Sequence, residues 1–367
     1  MKKAILFVIL ILVIIIGVIA VKTPNDKNNN KNKQSNKQNK NSSQAVNTER
    51  NSYSEILKVY NASEYIDKTT IADFEKEYKI RVEYSEFESN ENMYNEVVKN
   101  PSAYDVLIPS DYTIDRLIKE GRLAKLDKEK VPNIANVAKE YLNPEYDSNN
   151  DYVVPYMVGT LGILYNKSLV SSPVDSWTAL WDSQYKGKIL MWDSMRDCLG
   201  ATLKMLGYSV NSNNDKELAE AKSRLISQRS LVQGYLEEET RDILIAEEGI
   251  LAIVYSGEAK IAIDQNPNLA YVIPNEGSNK WVDGFVIMKD TKHLDSAEKF
   301  INFMCRPNIA VRNMTKTGYT SPILGAWAEF GNNKIMFPTA EELERCEAFL
   351  YNAEATQKYN KIWSDVR

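Results

Sequence analysis

The stretch LKVYNASEYIDKTTIADFEKEYKIRVEYSEF, residues 57–87, decides the fold class. Leu57–Tyr60 reads as a strand, Asp67–Tyr78 as a helix with Ile71, Phe74 and Tyr78 on one face, and Ile80–Phe87 as a second strand. Strand, helix and strand in succession form the unit of a parallel sheet with crossover helices. The pattern continues outward. Met93–Lys99 reads as a helix, Val106–Ile108 as a buried strand closed by Pro109, and Thr113–Lys119 as a helix with Ile114, Leu117 and Ile118 turned inward. In such sheets ligands sit beyond the carboxyl ends of the strands, which is where Asn61–Tyr65 and Ser110-Asp111-Tyr112 fall.

Further along, Pro155–Tyr165 reads as a strand-rich crossing, Trp177–Lys188 as a short helix and turn, and Ile189–Trp192 and Leu251–Tyr255 as buried strands, the latter followed by Ser256-Gly257. The chain beyond residue 52 exceeds the roughly 250–300 residues at which one core stops growing, so two α/β lobes with a cleft between them are expected. Residues 53–159 plus 281–327 are assigned to lobe 1, and 160–280 plus 328–367 to lobe 2.

The N-terminus points out of the cytoplasm. After Lys2 and Lys3, Ala4–Val21 is an unbroken apolar run, which makes residues 1–21 a signal peptide or membrane anchor, read here as an anchor. No cysteine lies near Val18-Ile19-Ala20 to carry a lipid. Residues 22–52 are dominated by Asn, Lys, Gln and Ser, and read as a disordered tether. Nine of the 45 Lys/Arg but only two of the 50 Asp/Glu lie in residues 1–50, so residues 51–367 carry a net charge of −12. An acidic domain argues against nucleic acid as a partner and favours a cationic ligand.

Few catalytic chemistries are open. His293 is the only histidine, so neither a histidine-based triad nor a multi-histidine zinc site can be assembled. Cys198, Cys305 and Cys346 lack metal-ligand spacing, read as buried or semi-buried thiols, and leave any disulfide unassigned. The 15 glycines form no phosphate-cradling loop. No cofactor, metal or catalytic residue is expected. Trp281-Val282-Asp283, by contrast, pairs a ring with a carboxylate, which suits an organic ammonium ion: the π-face attracts the cation and the carboxylate accepts its N–H hydrogens.

Landmarks along the chain carry a resemblance. VYNASEYID (59–67), FEKEYKIRVEYSEFESNENMY (74–94), YDVLIPSDY (104–112), PVDSWTALWDSQYKGKI (173–189), MRDCLGATLKMLGYSVNS (195–212), VYSGEA (254–259), VIPNEGSNKWVDGFVI (272–287) and KTGYTSP (316–322) stand in order. From about Leu57 to the C-terminus the chain resembles the spermidine/putrescine-binding proteins of bacterial polyamine ABC importers. The resemblance implies a two-lobed periplasmic-binding-protein-like (type II) α/β fold and an extracytoplasmic, monomeric, non-catalytic protein. Such a protein captures a polyamine and hands it to ABC permease subunits. It also implies ligand contacts at Ser63, Glu64, Tyr65, Ser110, Tyr112, Asp197, Tyr255, Trp281, Asp283 and Tyr319. In that scheme Asp197 and Asp283 neutralise separate ammonium groups, Tyr65, Tyr112, Tyr255 and Trp281 box the methylenes, and the hydroxyls of Ser63, Ser110 and Tyr319 take remaining N–H donors. Asp111 is expected to face solvent at a helix start, and Arg196 and Arg241 to lie at the surface or behind the contact residues.

The chain departs from the family at three places. Ala62 stands where tryptophan is common, Tyr255 replaces another tryptophan, and Ser194 stands where an acid is often found three residues before Asp197. The choice between spermidine and putrescine therefore stays open. Two other readings are weighed: the same fold binding another cationic or amino-acid-like solute, and a secreted carbohydrate-active enzyme using Asp197 and Asp283 as acid and base.

Overall fold

The computed structural model describes residues 53–367. The apolar run at residues 4–21 and the tether at 22–52 lie outside the described residues. Among the described residues no helix is long and apolar enough to cross a membrane.

The chain opens with β1 (Glu55–Ala62), α1 (Lys68–Tyr78) and β2 (Ile80–Phe87), and β1 pairs with β2 in parallel from Glu55↔Ile80 to Ala62↔Phe87. Local chemistry explains the helix between them. Asp67 caps α1 by accepting the Thr69 N–H at 2.9 Å, Thr70, Ile71 and Phe74 point inward, and Lys79 ends it in the left-handed conformation at φ 56°. Then follow α2 (Asn90–Lys99), β3 (Val106–Leu107), α3 (Asp111–Lys119), β4 (Val154–Asn166), β5 (Ile189–Trp192), α4 (Met195–Met205) and α5 (Asp215–Gln228). The remainder is β6 (Val232–Leu236), α6 (Glu239–Ile245), β7 (Leu251–Tyr255), α7 (Ser256–Gln265), β8 (Leu269–Val272), β9 (Lys280–Ile287), α8 (Leu294–Met304), α9 (Pro307–Thr317), α10 (Ala340–Glu344) and α11 (Ala353–Val366). The segment Trp177–Tyr185 is 3₁₀ rather than α-helical.

The strands run in the order β2-β1-β3-β9-β4-β7-β5-β6, with β8 beside β4. Only the outer pairs are parallel, β1 with β2 and β3, and β5 with β6 and β7. The two central strands run against their neighbours, which strand-helix alternation alone does not foretell. After β8 the chain returns through a turn, with no crossover helix, and β9 enters antiparallel between β3 and β4.

β4 is the joint of the molecule. Its first half, Val154–Thr160, pairs with β9, and its second half, Leu161–Tyr165, pairs with β7. The hydrophobic side chains divide at the same place. Val154, Tyr156 and Met157 belong to a core with Leu57, Phe74, Phe285 and Phe300, whereas Leu161, Ile163 and Leu164 belong to a second core with Trp177, Leu199, Leu225 and Ile253. Each fully buried side chain of this size contributes about 1.5–3 kcal/mol. Tyr255 packs against both cores. Cys198, Cys305 and Cys346 are free and buried.

Candidate functional site

Strand ends from both cores build one cavity of about 600 Å³, and all ten residues singled out above line it. Ser63, Glu64 and Tyr65 follow β1, and Ser110 follows β3. Asp197 stands in the first turn of α4 just beyond β5, and Tyr255 ends β7. Trp281 and Asp283 come from within β9, opposite Gly159 and Met157 of β4. Tyr319 follows the left-handed Gly318 that closes α9. Eleven carboxylates but only three cationic side chains line this cavity, so its field favours a cation.

Asp197 is 3% exposed. Its Oδ2 accepts the Tyr255 hydroxyl hydrogen at 2.7 Å, and its Oδ1 has no protein partner. Burial raises its pKa, against the lowering effect of the Ser194 and Tyr255 hydroxyls. Ser194 is the N-cap of α4, its Oγ accepting the Asp197 N–H at 3.4 Å. Ser194 thus serves as the helix cap, and Asp197 is the residue whose N–H it holds.

Asp283 sits between Trp281 and Phe285 of the first core, and its buried Oδ1 likewise has no protein partner. Its pKa is pushed up to about 6 by burial, opposed by the neighbouring Ser110 and Tyr65 hydroxyls. Ser110 pairs with Asp283 in an antiparallel bridge and is held by Asn90, whose Nδ2 donates to Ser110 Oγ at 3.0 Å while Oδ1 accepts the Ser110 N–H at 2.9 Å.

Asp111 differs from its expected place. It is 5% exposed and faces the cavity, not solvent. Its Oδ1 accepts the Tyr112 N–H at 2.7 Å and its Oδ2 the Val282 N–H at 3.4 Å, which ties the start of α3 to the strand carrying Trp281 and Asp283. Burial and then the charge of Asp283 push its pKa to about 8. A helix start looks exposed in sequence; here it is covered because β9 packs across it.

Of the two placements expected for Arg196 and Arg241, the structure supports the one beside the contact residues and not the outer surface, since both line the cavity. Arg196 is 6% exposed; its guanidinium lies 4.3 Å from the Tyr112 ring centroid, and its Nε is 3.8 Å from Glu91 Oε1. One face of Tyr112 is therefore covered by an arginine. Arg241 Nη1 lies 3.0 Å from Glu258 Oε2 and 4.0 Å from Glu64 Oε2. Glu64 adopts φ 52°, a left-handed conformation that costs an ordinary residue about 1–2 kcal/mol and turns its side chain towards Arg241.

The aromatic residues form a continuous wall. Trp281 meets Tyr319 at 5.2 Å and Tyr255 at 6.1 Å between ring centroids, and Tyr65 meets Tyr319 at 5.4 Å. Two glycines make room for it. A Cβ on Gly159 would lie 2.4 Å from Trp281 Cζ2, and one on Gly257 would lie 2.5 Å from the Tyr319 ring. Neither glycine announces this role in sequence, because it depends on the β4–β9 register and on a contact between the start of α7 and the turn after α9. Among the described residues no group of three or more His, Cys, Asp or Glu is arranged to hold a metal ion.

A two-lobed α/β architecture with an acidic, aromatic-walled cleft at its strand ends defines a solute-binding protein. The comparisons agree: residues 69–338 match the family described as bacterial extracellular solute-binding protein, and the chain belongs to it. The spermidine/putrescine-binding periplasmic protein of Escherichia coli is 34% identical over 297 residues, covering 79% of this chain and 85% of that protein. The putrescine-binding periplasmic protein SpuD of Pseudomonas aeruginosa is 34% identical over 340 residues, covering 86% and 92%. Among solved structures, the spermidine/putrescine ABC transporter substrate-binding protein PotD of Streptococcus pneumoniae superposes with a TM-score of 0.75 at 35% identity, covering 85% of this chain and 98% of that one.

Proposed function

We propose that this protein is the extracytoplasmic component of an ABC importer that captures a polyamine and delivers it to the permease. One observation carries the reading. Asp197, on a helix of the second core, and Asp283, on a strand of the first, each present a buried carboxylate oxygen without a protein partner to one aromatic-walled cavity. A flexible chain with an ammonium at each end satisfies both: each carboxylate accepts charge-assisted N–H hydrogen bonds, and Trp281, Tyr255, Tyr319 and Tyr65 cover the methylenes between them. Because the two anchors stand on different cores joined through β4, such a ligand favours the closed arrangement over an open one by its differential affinity. The ten cavity residues from Ser63 to Tyr319 are its proposed contacts, with Asp111 added behind Asp283.

No hydrolysis accompanies binding in this reading. Asp197 and Asp283 serve as counter-charges, not as acid and base, and an amino-acid ligand is disfavoured because both cavity guanidiniums already face carboxylates. We further propose that the protein acts as a monomer and stays at the membrane through residues 4–21; a mature N-terminus beginning at Val21 would refute that anchor. Calorimetric titration of the full chain with spermidine, putrescine, cadaverine and arginine tests the central claim. Saturable one-site binding of at least one polyamine, without binding of arginine, is expected. Binding of another solute class with none of the amines would overturn it.

A further inference from the structure

We infer that Arg241 is a built-in third cation of the cleft, so that the site reads two ammonium groups and selects a diamine over a triamine. The inference rests on the polyamine reading and deepens it.

Four carboxylates on the cavity wall are buried or present a buried oxygen: Asp111, Asp197, Glu258 and Asp283. Their oxygens are not equally free. Both oxygens of Asp111 accept backbone N–H hydrogens. Glu258 Oε2 accepts a hydrogen from Arg241 Nη1 at 3.0 Å. Asp197 and Asp283 alone among these four present a fully buried oxygen with no protein partner, whereas Glu258 is already paired with a cation, which leaves two unpaired anchors for an ammonium. Glu258 nevertheless lines the same cavity as Asp283, beside Tyr319. Burial, and then the charges of Glu258 and Asp283, raise the pKa of the Tyr319 hydroxyl, and Gly257, beside Glu258, is pressed against the Tyr319 ring. A third ammonium reaching past Tyr319 would meet Glu258 already paired with the Arg241 guanidinium.

The arginine is held in place. Its side chain is 15% exposed, and it is flanked by Glu258, by Asp242 at 3.0 Å and by Glu64 at 4.0 Å. A fixed cation at one end of an acidic cleft lowers the number of charges the ligand must bring, and it repels any amine long enough to place an ammonium there.

Titration of the full chain with putrescine and spermidine tests this. Wild type is expected to bind putrescine at least as tightly as spermidine. Arg241→Gln removes the charge, frees Glu258 and moves the affinity ratio towards spermidine by about ten- to a hundredfold, the range for one charge-assisted hydrogen bond. Arg241→Lys keeps a cation and leaves the ratio within about threefold of wild type. An unchanged ratio in Arg241→Gln, or the same displacement in Arg241→Lys, would overturn the inference. Should Arg241→Gln fail to fold, wild type decides alone: tighter binding of spermidine overturns the inference, and equal or tighter binding of putrescine supports it. A wild type that binds neither amine shows instead that the polyamine reading has failed.

Discussion

Asp197 and Asp283 are the same residue type in the same cavity, each with one oxygen free, yet their surroundings differ. Asp197 rides in the first turn of a helix and takes a hydroxyl hydrogen from Tyr255, with Ser194 capping the helix beside it. The helix N-terminus and these hydroxyls support a negative charge. Asp283 is embedded in a strand next to a second buried acid, Asp111, and the two resist ionising together. Burial raises both carboxyls, but Asp197 has a helix N-terminus and two hydroxyls to support its charge, whereas Asp283 has another acid beside it. Ligand capture is thus tied to pH through both carboxyls, with Asp283 pushed up to about 6.

The largest test removes the charges. Asp283→Asn and Asp197→Asn should each weaken polyamine binding by about 2–5 kcal/mol, some thirtyfold to several thousandfold, because an ammonium is left desolvated without its partner. Asp111→Asn should cost less than Asp283→Asn, since the oxygens of Asp111 are already occupied by backbone N–H groups. Equal losses at 111 and 283, measured by calorimetry, would break the distinction between them.

The pH dependence comes next. As the pH falls through about 6, Asp283 takes up a proton, and affinity should drop towards tenfold per unit in wild type and less steeply in Asp283→Asn. The stability of the ligand-free protein moves the opposite way. A carboxyl whose pKa is raised by folding releases its proton sooner in the unfolded chain, so Asp283 and Asp111 stabilise the fold at low pH. That contribution is lost as the pH rises from about 4 through the folded values near 6 and 8. Thermal unfolding between pH 4 and 8 checks the sign; a melting temperature that rose through this window in wild type but not in Asp111→Asn would contradict it.

A smaller effect is expected from the glycine that seats the Tyr319 ring. Gly257→Ala should cost roughly 1–3 kcal/mol, shared between stability and ligand affinity, because the ring must move. Ala at Gly234, where φ is not positive and the nearest atom to a new Cβ lies 3.6 Å away, meets no such contact, and similar losses at both would show that the ring is not responsible. The smallest effect is at Ala62, which lines the cavity opposite Phe87. Ala62→Trp should gain about 0.5–2 kcal/mol for the cation if its indole reaches the ligand. Lower affinity with unchanged thermal stability would mean that the small side chain is part of the ligand's shape.

Much of this was readable along the chain because it is local. The strand–helix–strand unit of residues 55–87 follows from apolar spacing, and residues following β1 and β3 were expected near a ligand because parallel strands end there, whereas Asp197 beyond β5 was expected only from the family resemblance. The Trp281–Asp283 pair was legible as adjacent chemistry. Asp111 was misplaced because a helix start is polar by default and nothing in its neighbours signals that β9 will cover it. Arg196 and Arg241 were set aside for the same reason: a long cationic side chain reads as surface unless its partners, here Glu91 and Glu258, are known to converge on it.

What the sequence by itself determined is the alternation of elements, the acidity of the folded part and the residue types available for a cation, all properties of composition and short-range period. Tertiary structure alone decided which carboxylates keep a free oxygen. Hydrogen-bond satisfaction and burial depend on groups far apart in the chain, such as Asp197 with Tyr255, Asp111 with Val282 and Glu64 with Arg241, which meet only when β4 and β9 bring the two cores together.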